Sequence, residues 1–131
     1  MANFKYNKEF IENMAKEFME LLITHHCADD TTIYFNGERY SSVYKIINDE
    51  DTYKFVKQEV TFHPIQITEY TVKNNILSFS TEGHLYDILN YDSAPKWFKD
   101  FCKKYDLYAE PATSWFYHFC PDKGEWEDWE T

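Results

Sequence analysis

His25-His26-Cys27 and His118-Phe119-Cys120 are the two places in this 131-residue chain where metal-ligating and nucleophilic side chains crowd together. A structural zinc ion needs about four such donors converging on one point. A helix end carrying the first group, packed near a strand carrying the second, would bring them together. The spacing matches no established zinc pattern, because adjacent residues of a helix or strand point in different directions. A cysteine on such an element is more often a small buried hydrophobe than a ligand. No metal ligand and no cofactor are therefore expected, and a small zinc-binding domain built on His25, His26, Cys27, His118 and Cys120 is kept as a lesser alternative.

Other chemistries find less to work with. The chain has no G-x-S-x-G elbow, and no cysteine sits in an evident electropositive setting that would make it a thiolate. Gly37, Gly83 and Gly124 are isolated, so no glycine-rich loop cradles a phosphate. Acidic pairs are abundant, but acid–base catalysis needs one carboxyl buried in a cleft, which a sequence does not reveal. No catalytic residue is assigned, and the expectation is a protein that is not an enzyme. Three cysteines without a C-x-x-C pair do not suggest a disulfide framework.

Charge is the stronger signal. Lys and Arg total 13 against 23 Asp and Glu, a net of −10. Residues 28–51 hold six acids (Asp29, Asp30, Glu38, Asp49, Glu50, Asp51) against Arg39 and Lys45. Residues 121–131 hold five (Asp122, Glu125, Glu127, Asp128, Glu130) against Lys123. Those two segments carry −8 of the −10. Like charges repel and oppose compaction, so concentrated acid implies either solubility or a basic partner. Direct nucleic-acid binding is disfavoured, since it depends on Lys and Arg neutralising phosphates. The densest basic spot, Lys96, Lys99, Lys103 and Lys104, is offset by Asp100 and Asp106.

The elements that must position these residues follow from periodicity. Ile11, Met14, Phe18, Leu21 and Leu22 recur at helical spacing over 8–24, with Asn7 as N-cap. Thr31–Phe35 and 38–43, extending toward Ile47, form a hairpin around Asn36-Gly37. Residues 48–59 read either as a short capped helix or as an acidic loop. Strands are expected at 68–72 and 76–81 around Asn74-Asn75, with 83–91 irregular or a single helical turn. Asp92 or Ser93 caps a helix over 96–105 that turns Trp97, Phe98, Phe101 and Cys102 inward. Strands at 108–109 and 113–120, a turn at 121–124 and an edge strand at 125–130 complete the chain. The fold class expected is α+β, one domain over 1–131, with an antiparallel sheet of five to six strands and two helices on one face. The start of the chain does not read as a signal peptide and no apolar run reaches membrane length, so the expected location is the cytoplasm.

From Leu77 to about residue 130 a family pattern emerges. Its marks are Ser78-Phe79-Ser80-Thr81, then Pro95 with Trp97-Phe98, Phe101 and Tyr105, then Tyr108-Ala109-Glu110-Pro111 and an aromatic strand. It resembles a ferredoxin-like domain of unknown function found in proteins encoded on plasmids and phages. Trp115-Phe116-Tyr117-His118-Phe119 departs from it in lacking a small glycine after the aromatic. The resemblance implies a sheet-plus-helix fold and a mobile-element origin, and no activity. Twelve Lys against one Arg suggest an AT-rich coding sequence, in keeping with a low-GC bacterium or its mobile elements.

The functional expectation joins charge to aromatics. By size and acidity the chain resembles the small acidic inhibitors of CRISPR and restriction systems. The expected partner is a basic protein, a nucleic-acid-binding bacterial defence effector whose groove attracts carboxylates as it attracts phosphates. The expected partner-binding residues are Asp122, Glu125, Trp126, Glu127, Asp128, Trp129 and Glu130, with Asp49, Glu50 and Asp51 as a second patch. Trp126 and Trp129 are the anchors, as tryptophan often is at interfaces. The alternative from a different class is a structural or assembly protein of a mobile element, kept soluble by its charge.

Overall fold

The structure is a computed structural model that describes residues 5–36, 38–58, 77–91, 93–121 and 125–126. Helix α1 (Lys8–Thr24) starts where Asn7 Oδ1 accepts the Phe10 N–H at 2.9 Å, satisfying one of the amides a helix start leaves open. Its apolar face buries Ile11, Met14, Ala15, Phe18 and Leu22. The chain then forms β2 (Thr31–Phe35), β3 (Glu38–Ile47), β4 (Glu50–Gln58) and β5 (Leu77–Thr81). Two helices follow, α2 (His84–Tyr91) and α3 (Lys96–Lys104), and then β6 (Leu107–Thr113) and β7 (Phe116–Pro121). The six strands make one antiparallel sheet in the order β4-β3-β2-β5-β7-β6, and the helices pack on one face, the expected α+β class. Separately, β1 (Lys5–Tyr6) pairs in parallel with β8 (Glu125–Trp126).

Strand alternation splits the sheet into two environments. Ile33, Phe35, Leu77, Phe79 and Phe119 point to the helices and form the core with Phe98 and Phe101 of α3. Phe18 sits at its centre, with ring centroids 5.3 Å from Phe79, 5.1 Å from Phe101 and 5.0 Å from Phe119. Edge-to-face and tilted rings at such spacing add to simple burial.

Four expectations are corrected. Residues 50–58 are a strand, neither helix nor loop. Asn48 and Asp49 have φ of 51° and 62°, so they form the two-residue turn with both positions left-handed that joins twisted strands. Residues 84–91 form a full eight-residue helix, because Leu85 anchors it in the core. Pro95, rather than Asp92 or Ser93, stands at the N-cap of α3 and caps with no side chain. Trp115 lies in the turn between β6 and β7 and not on the aromatic strand, which begins at Phe116. The strand expected at 68–72, with its turn at Asn74-Asn75, falls outside the described residues, as does Gly37.

Candidate functional site

The register puts the acids of residues 28–51 at one end of the sheet. β2 begins at Thr31, and the register that pairs Thr32 with Ser41 sets Thr31 beside Ser42; β5 ends at Thr81, opposite Thr31. Residues 43–47 and 50–54 of the β3–β4 hairpin therefore project past that end, with exposed Asp49, Glu50 and Asp51 at or beside its tip. Asp30 and Glu82 stand at the same end, linked by a backbone bond from the Glu82 N–H to the Asp30 carbonyl at 3.1 Å. Asp29 is also here and already engaged. Its Oδ2 accepts the His84 N–H at 2.9 Å, holding the start of α2. Gly83 makes room for it, since a Cβ there would collide with the Asp29 carbonyl oxygen and carboxylate.

Between the projecting hairpin and the sheet end lies a cavity of about 480 Å³. It is lined by Thr31, Thr32, Ser41, Ser42 and Ser80, with hydroxyls of Thr32, Ser41 and Ser80 on one sheet face, by the acids Asp30 and Glu82, and by Trp115. Backbone pairing fixes the walls: the Thr81 N–H donates to the Trp115 carbonyl at 2.9 Å. Thr32 and Ser41 join through their hydroxyls at 3.3 Å, and Ser41 donates onward to Gln58 at 3.0 Å. Small hydroxyl residues at paired positions of three adjacent strands leave the hollow. Its volume falls in the range of ligand sites, but its lining is far more polar than the mostly apolar pockets that bind small molecules.

Carboxylates elsewhere are mostly occupied. Glu17 Oε1 accepts from Lys104 Nζ at 2.7 Å and from the Tyr105 hydroxyl at 2.6 Å. Asp100 pairs with Lys96, Glu12 with Lys16 and Glu38 with Lys57. Asp51 accepts the Tyr44 hydroxyl at 2.5 Å, which raises the tyrosine's pKa. Asp30, Asp49, Glu50 and Glu82 have no ion pair among the described residues. Lys45 and Lys54 lie side by side on the hairpin, where their contact lowers the Lys45 pKa, and they temper the charge of this end without reversing it.

The other expected site residues are placed differently. Glu125 and Trp126 belong to β8, which pairs beside the start of α1, whereas Asp30 and the hairpin tip lie toward its other end. A helix of 17 residues is about 25 Å long, so Glu125 of β8 and the hairpin-tip acids lie toward opposite ends of α1. Asp122, Glu127, Asp128, Trp129 and Glu130 are outside the described residues. The hairpin carries its own apolar surface: Tyr44 and Ile46 are 56% and 61% exposed beside the acidic tip.

The five zinc-alternative donors do not meet. His25 stacks on Trp97 at 4.9 Å, and the Cys27 thiol turns back to the His25 carbonyl within the core. His118 and Cys120 point to the opposite face of the sheet. No group of three or more metal-ligating side chains converges among the described residues. Burial pushes the thiol pKa of Cys27 and Cys120 up to about 11 and of Cys102 up to about 12, so all three stay protonated at neutral pH. His118 is fully buried with Nδ1 2.8 Å from the Ser78 hydroxyl and Nε2 without a partner among the described residues, and burial lowers its pKa to about 4.

Sequence reasoning missed Asp30, Glu82, Trp115 and the hydroxyl set as one site. The available signal was Thr32, Ser41 and Ser78-x-Ser80, small polar residues at sheet positions where alternation leaves the non-core face. No family model, no curated protein and no solved structure matches this chain. The likeness of residues 77–130 to a ferredoxin-like domain therefore stands on its sequence pattern alone. No described helix is long and apolar enough to cross a membrane.

Proposed function

We propose that the protein is an acidic protein-binding module that acts as an inhibitor, of the kind phages and other mobile elements direct at bacterial defence nucleases, by occupying a basic nucleic-acid-binding surface. The observation that supports this reading most is the gathering of Asp30, Asp49, Glu50 and Glu82 at one end of the sheet, all without ion pairs among the described residues. Unpaired carboxylates project a field that steers a basic surface into encounter, and the effect fades with salt. Tyr44 and Ile46 supply apolar contact beside the charge, which charge alone lacks. The tail acids Asp122, Glu125, Glu127, Asp128 and Glu130, with Trp126 and Trp129, form the second contact in this proposal. The origin in a mobile element rests on size, acidity and the family likeness.

The test is affinity capture from nuclease-treated lysates of low-GC bacteria carrying defence systems, followed by an activity assay of what is captured. A stoichiometric basic nuclease, released as salt rises and inhibited by the protein, is the expected result. Recovery of only neutral or acidic proteins would remove the charge argument.

A further inference from the structure

The cavity between the hairpin and the sheet end gives the proposed interface its chemistry. We infer that it receives an arginine side chain of the basic partner, an inference that rests on the reading above. Three independent features of the cavity select that group. Asp30 and Glu82, at its edge and unpaired among the described residues, provide the countercharge. Trp115, 46% exposed, offers an indole surface on which a planar guanidinium stacks better than a compact ammonium. The Thr32, Ser41 and Ser80 hydroxyls supply oxygen acceptors for several N–H groups, and a guanidinium carries five. The volume of about 480 Å³ leaves room for the aliphatic stem as well. An anion is repelled by the two carboxylates, and an apolar ligand would strip water from them without replacing the lost hydrogen bonds.

The hairpin tip and the cavity thus divide the work. Asp49 and Glu50 attract any cation at long range, while the cavity distinguishes arginine from lysine at contact. The experiment is an NMR titration of the full chain with two ten-residue peptides, one all arginine and one all lysine, at low and moderate salt. The expected result is that the arginine peptide shifts the Trp115 indole and the amides of Asp30, Thr32 and Glu82, with an affinity at least tenfold above that of the lysine peptide. Asp30→Asn with Glu82→Gln should lower the arginine affinity tenfold or more. Ser80→Leu, which fills the hollow without changing charge, should erase the preference for arginine and leave the weak lysine binding. An unchanged one-dimensional spectrum of each variant serves as the folding control. Shifts confined to the hairpin tip, or equal affinity for both peptides, would overturn the arginine pocket and leave the acidic interface standing. Absence of binding by either peptide at low salt would overturn the acidic interface itself.

Discussion

Several carboxylates on the helices are neutralised by a neighbouring lysine, whereas four at the strand end are not so paired among the described residues. Glu12, Glu17 and Asp100 each have a lysine within reach, and Glu9 sits in the first turn of α1, where the helix dipole favours a negative charge. At the strand end, Asp30, Asp49, Glu50 and Glu82 project beside a polar hollow without such partners among the described residues. Net charge therefore says little about where a partner is met. The distinction between neutralised and free acid says more, and it divides residues that build the fold from residues left over for recognition.

That division predicts stability effects on the helix side and binding effects at the strand end. The largest loss should follow Phe18→Ala, which removes the ring at the centre of the core: about 3–5 kcal/mol in denaturant unfolding. His118 comes next, through pH. Its folded pKa of about 4 lies below the ordinary value of 6.5, so the unfolded chain takes up the proton first as pH falls. Its contribution is complete above pH 6.5 and is lost between 6.5 and about 4, to a total of about 3 kcal/mol. Unfolding of His118→Gln across that window should show this acid dependence removed; an unchanged slope would place the titrating group elsewhere.

Gly83→Ala should cost about 1–3 kcal/mol, as an overpacked contact does, by driving Asp29 off the start of α2. Thermal melting compares it with Asp29→Ala, and the glycine variant should be the worse of the two. Glu17→Gln, which loses the Lys104 partner and weakens the Tyr105 bond, should cost roughly 1 kcal/mol. Smallest of all, joint neutralisation of Asp30, Asp49, Glu50 and Glu82 should leave stability within about 0.5 kcal/mol, as surface changes usually do. A large loss there would mean that these acids serve the fold, and the comparison would collapse.

Much of the fold was legible because its signals are local. The helical spacing of Ile11, Met14, Phe18 and Leu22, the Asn7 cap and the Asn36 turn all depend on near neighbours. β4 was not legible, since its exposed, charged face resembles a loop and its strand state comes from pairing with β3. Leu85 likewise makes a helix of 84–91 through a core contact that no local pattern announces. The site was legible only in part. Asp49, Glu50 and Asp51 were evident as acids. Their company with Asp30 and Glu82 depends on β5 lying beside β2, a neighbour 50 residues distant along the chain. Trp115 was misread as a strand residue, so its place as a cavity wall stayed hidden.

The most direct measurement compares two variants with equal charge change. One carries Asp30→Asn, Asp49→Asn, Glu50→Gln and Glu82→Gln; the other carries Glu9→Gln, Glu12→Gln, Glu17→Gln and Asp100→Asn. Titrating each with the ten-residue arginine peptide at low salt separates location from total charge. The account predicts at least a tenfold loss of affinity for the first variant and less than a threefold loss for the second. Equal losses would contradict it, since the peptide would then be reading only the overall charge.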